Sequence, residues 1–172
     1  MESVQSFTFL TPKPTKKRKC FEFCIEEGED YTKLATVKIY KKKVVIDIRI
    51  HEVEENQLKP TKKGVSLDYE GWLRLIECAK DLQNAHDAKN TEAKFWLNSD
   101  TEKAQPVHIF AEICVSARGN HNYCLSSYSQ PDPSKLEVKP SGKSICLKQN
   151  QFEKLLEFAF DIECAVVQLG ED

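Results

Sequence analysis

Nowhere in the 172 residues is there an apolar run near the roughly twenty that a bilayer-spanning helix needs, so no membrane association is expected. The N-terminal stretch lacks the order of a secretory signal: residues 7–10 make only a short apolar patch, and Lys13 follows it. The seven cysteines include no Cys-x-x-Cys and are odd in number, which argues against a disulfide framework and a structural zinc site. Cys20 and Cys24 stand four apart, but no second pair of similar spacing follows, and the four histidines are scattered. Free thiols in a reducing compartment, without a metal, are the expectation. Nucleophile, base and orienting group do not occur together, and neither a phosphate-cradling glycine loop nor paired carboxylates at metal spacing is present. Neither an enzymatic activity nor a cofactor is expected.

What is present describes a folded protein. Hydrophobic residues make up 40% and charged residues 30%, which sets the chain apart from disordered ones. The net charge of −2 argues against nucleic acid until its distribution is considered. Residues 1–64 carry 14 Lys and Arg against 10 Asp and Glu; residues 65–172 carry 11 against 17. Binding responds to such local patches rather than to the total.

An internal repeat organises the chain. With an offset of 80, Lys59-Pro60-Thr61 falls on Lys139-Pro140-Ser141, Lys63 on Lys143, Val65 on Ile145 and Leu67 on Leu147. Without a gap, Trp72 then meets Phe152, Leu75 meets Leu155, Glu77 meets Glu157, Ala79 meets Ala159 and Asp81 meets Asp161. Asp68 is a candidate N-cap for a helix in which Trp72, Leu75, Ile76, Ala79 and Leu82 recur at three- and four-residue steps. Phe152, Leu155, Leu156, Ala159, Ile162 and Val166 repeat the pattern, and predict one long helix again. Ahead of each helix the alternation is that of strands: 34–40 and 44–51 around a lysine tip at 41–43, then 107–117 and 122–128 around Arg118-Gly119-Asn120. Further strands are expected at 20–25 and 95–97.

Each copy therefore reads as two or three strands, a basic loop with a short strand, and one long helix. The fold class is α+β: two tandem units, each a curved antiparallel sheet followed by a helix. One such unit of about 70 residues buries little alone, so the two are expected to pair as an intramolecular pseudo-dimer, leaving the protein a monomer. The divisions are a basic arm at 1–19, a first unit at 20–84, a connection at 85–94 and a second unit at 95–169.

Lys43-Val44-Val45-Ile46-Asp47-Ile48-Arg49, then Lys59-Pro60-Thr61-Lys62-Lys63-Gly64-Val65-Ser66-Leu67, then Trp72, resembles the positive cofactor four family of transcriptional coactivators. The resemblance is strong over 31–84 and weak over 105–168. It implies paired curved sheets whose grooves hold single-stranded or melted DNA. By the same resemblance, Tyr40, Lys41 and Lys43 match the family's aromatic–lysine hairpin, Arg49 its strand-end arginine, and Lys59, Lys62, Lys63 and Gly64 its basic loop. A family tryptophan that stacks on bases falls near Glu52, with His51 beside it as a substitute. The second copy keeps Lys139, Lys143 and Arg118, while Gly142 and Ser144 replace a basic residue and the glycine. There Tyr123, Tyr128 and His121 are the candidates for stacking.

Taken alone, three lysines at a hairpin tip are a solvated turn. Joined to Lys59, Lys62 and Lys63 and to an aromatic face, they have what a single strand requires: cations for phosphates and a ring for bases. Trp72 and Phe152, at helical spacing, are read as core, and Asp47 as an exposed or turn-pairing acid. Pro12-Lys13-Pro14-Thr15-Lys16-Lys17-Arg18-Lys19 is a nuclear-import type of cluster, or a basic arm adding affinity. The expected function is sequence-nonspecific binding of single-stranded or unwound DNA in the nucleus, with transcription proteins as further partners. Two other readings stand beside it: a protein-interaction adaptor with vestigial nucleic-acid binding, and a Pur-like single-stranded RNA binder.

Overall fold

The computed structural model describes residues 20–170. The basic cluster at 12–19 lies outside the described residues, as do Ser6, Thr11 and Thr15.

Alternating apolar residues lay down eight strands. β1 (Cys20–Glu27), β2 (Tyr31–Tyr40), β3 (Lys43–Glu54) and β4 (Gln57–Asp68) form one antiparallel sheet, its strands adjacent in chain order. α1 (Tyr69–Asp87) follows at once, and the Asp68 side chain caps it by accepting the Gly71 amide at 2.7 Å, as expected. After a short connection, β5 (Lys94–Asp100), β6 (Val107–Val115), β7 (His121–Ser129) and β8 (Lys139–Leu147) form the second sheet in the same meander. α2 (Gln149–Glu157) and α3 (Ala159–Gly170) close the described chain.

The period of two gives each sheet one apolar face. Phe21, Phe23, Val37, Ile46, Ile48 and Leu67 are buried on the first sheet, and Leu97, Ala111, Leu125 and Leu147 on the second. All of them join a single cluster with Trp72, Leu75, Phe152, Leu155 and Ile162 from the helices. Both Trp72 and Phe152 are core residues, as their spacing predicted. The helices cross between the sheets: α1 packs against β5 and β6 as well as β4, and α3 against β2 and β3. β4 and β8, the strands bearing the repeated Lys-Pro, lie alongside one another.

Two expectations need correcting. The basic segment is no loop with a short strand attached. It belongs to β4, paired with β3 from Glu54↔Gln57 to Val45↔Asp68, apart from one bulge between Arg49 and His51. Proline signalled a loop, but Pro60 lies on an edge strand, where a missing ladder donor is tolerated. The bulge sets residues 61–63 against Ile50 alone, and Thr61 Oγ1 donates to the Ile50 carbonyl at 2.8 Å. The second helix, expected as one long element, is broken at Phe158. There the amide donates to the Leu155 carbonyl at 3.1 Å, three residues back, and tightens the turn. Phe158 is buried against Phe23 of the first sheet, ring centroids 5.3 Å apart, so the break seats its side chain in the shared core.

Candidate nucleic-acid interface

β2 and β3 join through a two-residue turn, Lys41-Lys42, with φ of 51° and 68°. Two positive φ values give a turn whose twist matches that of the strands it joins. It carries Tyr40 and Lys43, directly opposite one another, to the end of the sheet. Tyr40 is 53% exposed, Lys41 and Lys43 are exposed, and the Lys41 ammonium stands 5.5 Å from the Tyr40 ring centroid. Two residues back on the same face is Lys38, which the sequence reading passed over; its alternation with Tyr40 was the available signal.

Further along that outer face Asp47 is buried, at 3% exposure, which corrects its reading as an exposed acid. Arg49 grips it as a fork, Nε at 3.0 Å from Oδ2 and Nη2 at 2.9 Å from Oδ1. Ser66, its cross-strand neighbour, donates its hydroxyl to the same carboxylate at 2.5 Å. Burial alone would raise the Asp47 carboxyl, but the hydrogen bonds from Arg49 and Ser66 and the charges of Arg49 and Lys38 hold it below the ordinary range. The third side of the Arg49 guanidinium donates to the Thr61 carbonyl at 2.9 Å, and its side chain is 18% exposed. Arg49 is therefore spent on tying β3 to β4.

Lys59, Lys62 and Lys63 stay exposed on β4, Lys59 opposite Glu52. Gly64, paired with Arg49, lies close against the β3 backbone. A Cβ there would stand 2.6 Å from the Ile48 carbonyl oxygen and 2.7 Å from the Arg49 Cα. His51 is half-buried on the Arg49 face opposite Pro60, and burial lowers its pKa below the ordinary value.

The second unit repeats the backbone and changes the chemistry. β8 carries its own bulge, opposite Ser126 and Tyr128, and the Lys143 amide bonds Ser141 Oγ as the Lys63 amide bonds Thr61 Oγ1. Lys139, Lys143 and the turn residue Arg118 are exposed. By register, Cys124 paired with Cys146 occupies the place of Asp47 paired with Ser66, and Ser126 that of Arg49. Tyr123, expected to offer a ring to bases, is buried instead, sandwiched between His86 at 4.3 Å and Phe152 at 4.2 Å. His121 opens β7 and gives its carbonyl to the His86 ring.

Tyr128 remains on the outer face. The Lys94 ammonium lies 3.8 Å from its ring centroid and 4.7 Å from that of Phe110. Its hydroxyl donates to Glu112, and burial together with that carboxylate pushes the phenol up to about 12. Trp96, opposite Phe110, is 45% exposed under the Arg74 guanidinium at 4.3 Å. Of this aromatic–cation group only Tyr128 was read in the sequence; Lys94, Trp96, Phe110 and Arg74 come from three other segments. The expectation of free thiols also fails at one place: Cys114 and Cys124 are joined as a disulfide.

An α+β protein with an aromatic–lysine hairpin tip and a lysine-bearing edge strand is the class these features define. Residues 29–78 match the family model described as Transcriptional Coactivator p15 (PC4). That stretch takes in β2, β3, β4 and half of α1, and with them every candidate residue of the first unit. A domain similar to that coactivator is therefore found over those residues. Arg118, Lys139 and Lys143 lie beyond the match.

Proposed function

We propose that the chain binds single-stranded or unwound DNA without sequence preference, as a coactivator-like protein of the nucleus. The observation that carries this reading is the coincidence of the family match with a projecting Tyr40–Lys41–Lys43 tip. In this reading Lys41, Lys43, Lys59, Lys62 and Lys63 hold phosphates and Tyr40 stacks on a base. Arg49 and Gly64 hold the frame that presents them, while Arg118, Lys139 and Lys143 extend the cationic path. The two units, 20–84 and 95–169, pair as a pseudo-dimer inside one chain, and 1–19 adds a basic arm. A single core drawing on both sheets supports that pairing.

The test is fluorescence anisotropy with an oligonucleotide of about 20 nucleotides, single-stranded against duplex, at two salt concentrations. The single strand should bind more tightly, with a log–log salt slope of about −0.7 per phosphate contacted. Lys41→Glu with Lys43→Glu should lower affinity at least tenfold without changing the circular dichroism; equal affinity would sink the assignment. The adaptor reading is favoured by Phe160, 75% exposed on α3, and Val167 on the same helix. It prevails if neither nucleic acid binds at low salt.

A further inference from the structure

Three cysteines from three successive strands converge on the outer face of the second sheet: Cys114 on β6, Cys124 on β7 and Cys146 on β8. The Cys146 sulfur lies 2.8 Å from that of Cys124 and 3.7 Å from that of Cys114. A disulfide between Cys114 and Cys124 uses two of the sulfurs and leaves the third against it. Three sulfur donors so close that one atom can touch all of them are a ligand set for a soft cation, which thiolates select over hard ones.

The surroundings suit such an ion. Three thiolates around a divalent ion leave one negative charge, and Lys33 of the first unit is placed to offset it. Its ammonium bonds the Cys146 carbonyl at 3.0 Å and Gln151 Oε1 at 2.9 Å. The first unit keeps the Asp47–Arg49–Ser66 knot at the equivalent position, tying its strands together by hydrogen bonds. A metal would tie β6, β7 and β8 in the same way.

We infer that, in the reduced chain, Cys114, Cys124 and Cys146 form a three-thiolate site for a thiophilic metal ion of the zinc class. Its fourth position goes to water, as in four-coordinate sites with an open position. The balance is simple. A dithiol reductant gives two electrons and two protons to the Cys114–Cys124 bond, which becomes two thiols while the reductant becomes a disulfide. Metal entry then displaces one proton from each of the three thiols. This inference stands apart from the nucleic-acid reading.

The experiment uses the full chain, reduced with a dithiol under nitrogen, desalted and loaded with Zn²⁺ or with Co²⁺ as its spectroscopic stand-in. One ion per chain by mass spectrometry, a sulfur-to-cobalt charge-transfer band and a raised melting temperature are expected. Cys124→Ser and Cys146→Ser should each weaken binding beyond the roughly 10–100-fold that loss of an outer partner costs. Cys164→Ser, distant in sequence and exposed, should leave it unchanged. Cys146 is exposed, so its variant decides the matter even if Cys124→Ser fails to fold. Retention of the ion by Cys146→Ser would overturn the site, as would a fully reduced chain that takes up no metal. A Cys114–Cys124 bond that resists the reductant in the native protein would overturn it too.

Discussion

Arg49 and Asp47 are two residues apart on one face of β3, and each needs the other. A buried carboxylate is tolerable only while its charge is met, and here two guanidinium bonds and the Ser66 hydroxyl meet it. Arg49→Ala would strand the carboxylate and should cost about 3–5 kcal/mol, read from the midpoint of urea unfolding. Arg49→Lys keeps the charge and loses the fork, so it should fall between. The same pair sets an acid limit. Because the Asp47 pKa is depressed, its stabilisation is complete above the ordinary value of 3.8 and is lost as pH falls through the lower folded value. His51 acts earlier. Its folded pKa lies below the ordinary 6.5, so the fold favours the neutral ring and stability falls as pH drops below 6.5. His51→Gln should remove that first decline from a pH series of melting temperatures and leave the second.

At the scale of the element, β4 shows what adjacency in space adds to sequence. Gly64 faces backbone atoms of Ile48 and Arg49 at less than 3 Å from where a Cβ would stand, and backbone does not yield cheaply. Gly64→Ala should therefore cost about 1–3 kcal/mol by denaturant titration, as overpacking does. A glycine kept for phosphate access would instead change affinity and spare stability. Strand alternation and helical spacing made β2, β3, β6, β7 and α1 legible, since period alone decides which face is buried. The β4 segment was misread because Pro60 and Gly64 are local loop signals, whereas pairing with β3 is not local. The break at Phe158 left no proline or glycine to read; apolar spacing runs on through it, and only packing against Phe23 distinguishes it. Candidate lysines were legible as a group because charge and repeat coincide. What Arg49 binds was not, since its partners come from β3 and β4 together.

At the scale of the molecule, the helices decide how the halves relate. α1 leaves the first sheet and packs on β5 and β6, while α3 returns to β2 and β3. Phe158 meets Phe23, Lys33 meets Gln151, and the Tyr69 hydroxyl bonds Glu163. Neither half would keep its apolar face covered if the other left, because each sheet is roofed partly by the other's helix. Two consequences follow from one shared core. If the two units pair internally as proposed, light scattering should return a single chain of 19.7 kDa. Unfolding should be one transition, with tryptophan fluorescence and far-ultraviolet dichroism superimposing, because Trp72 and Trp96 report on both units. A compact dimer would mean that each half pairs with another chain's half, as domain exchange allows. Two separated transitions would mean that the second sheet stands without the first.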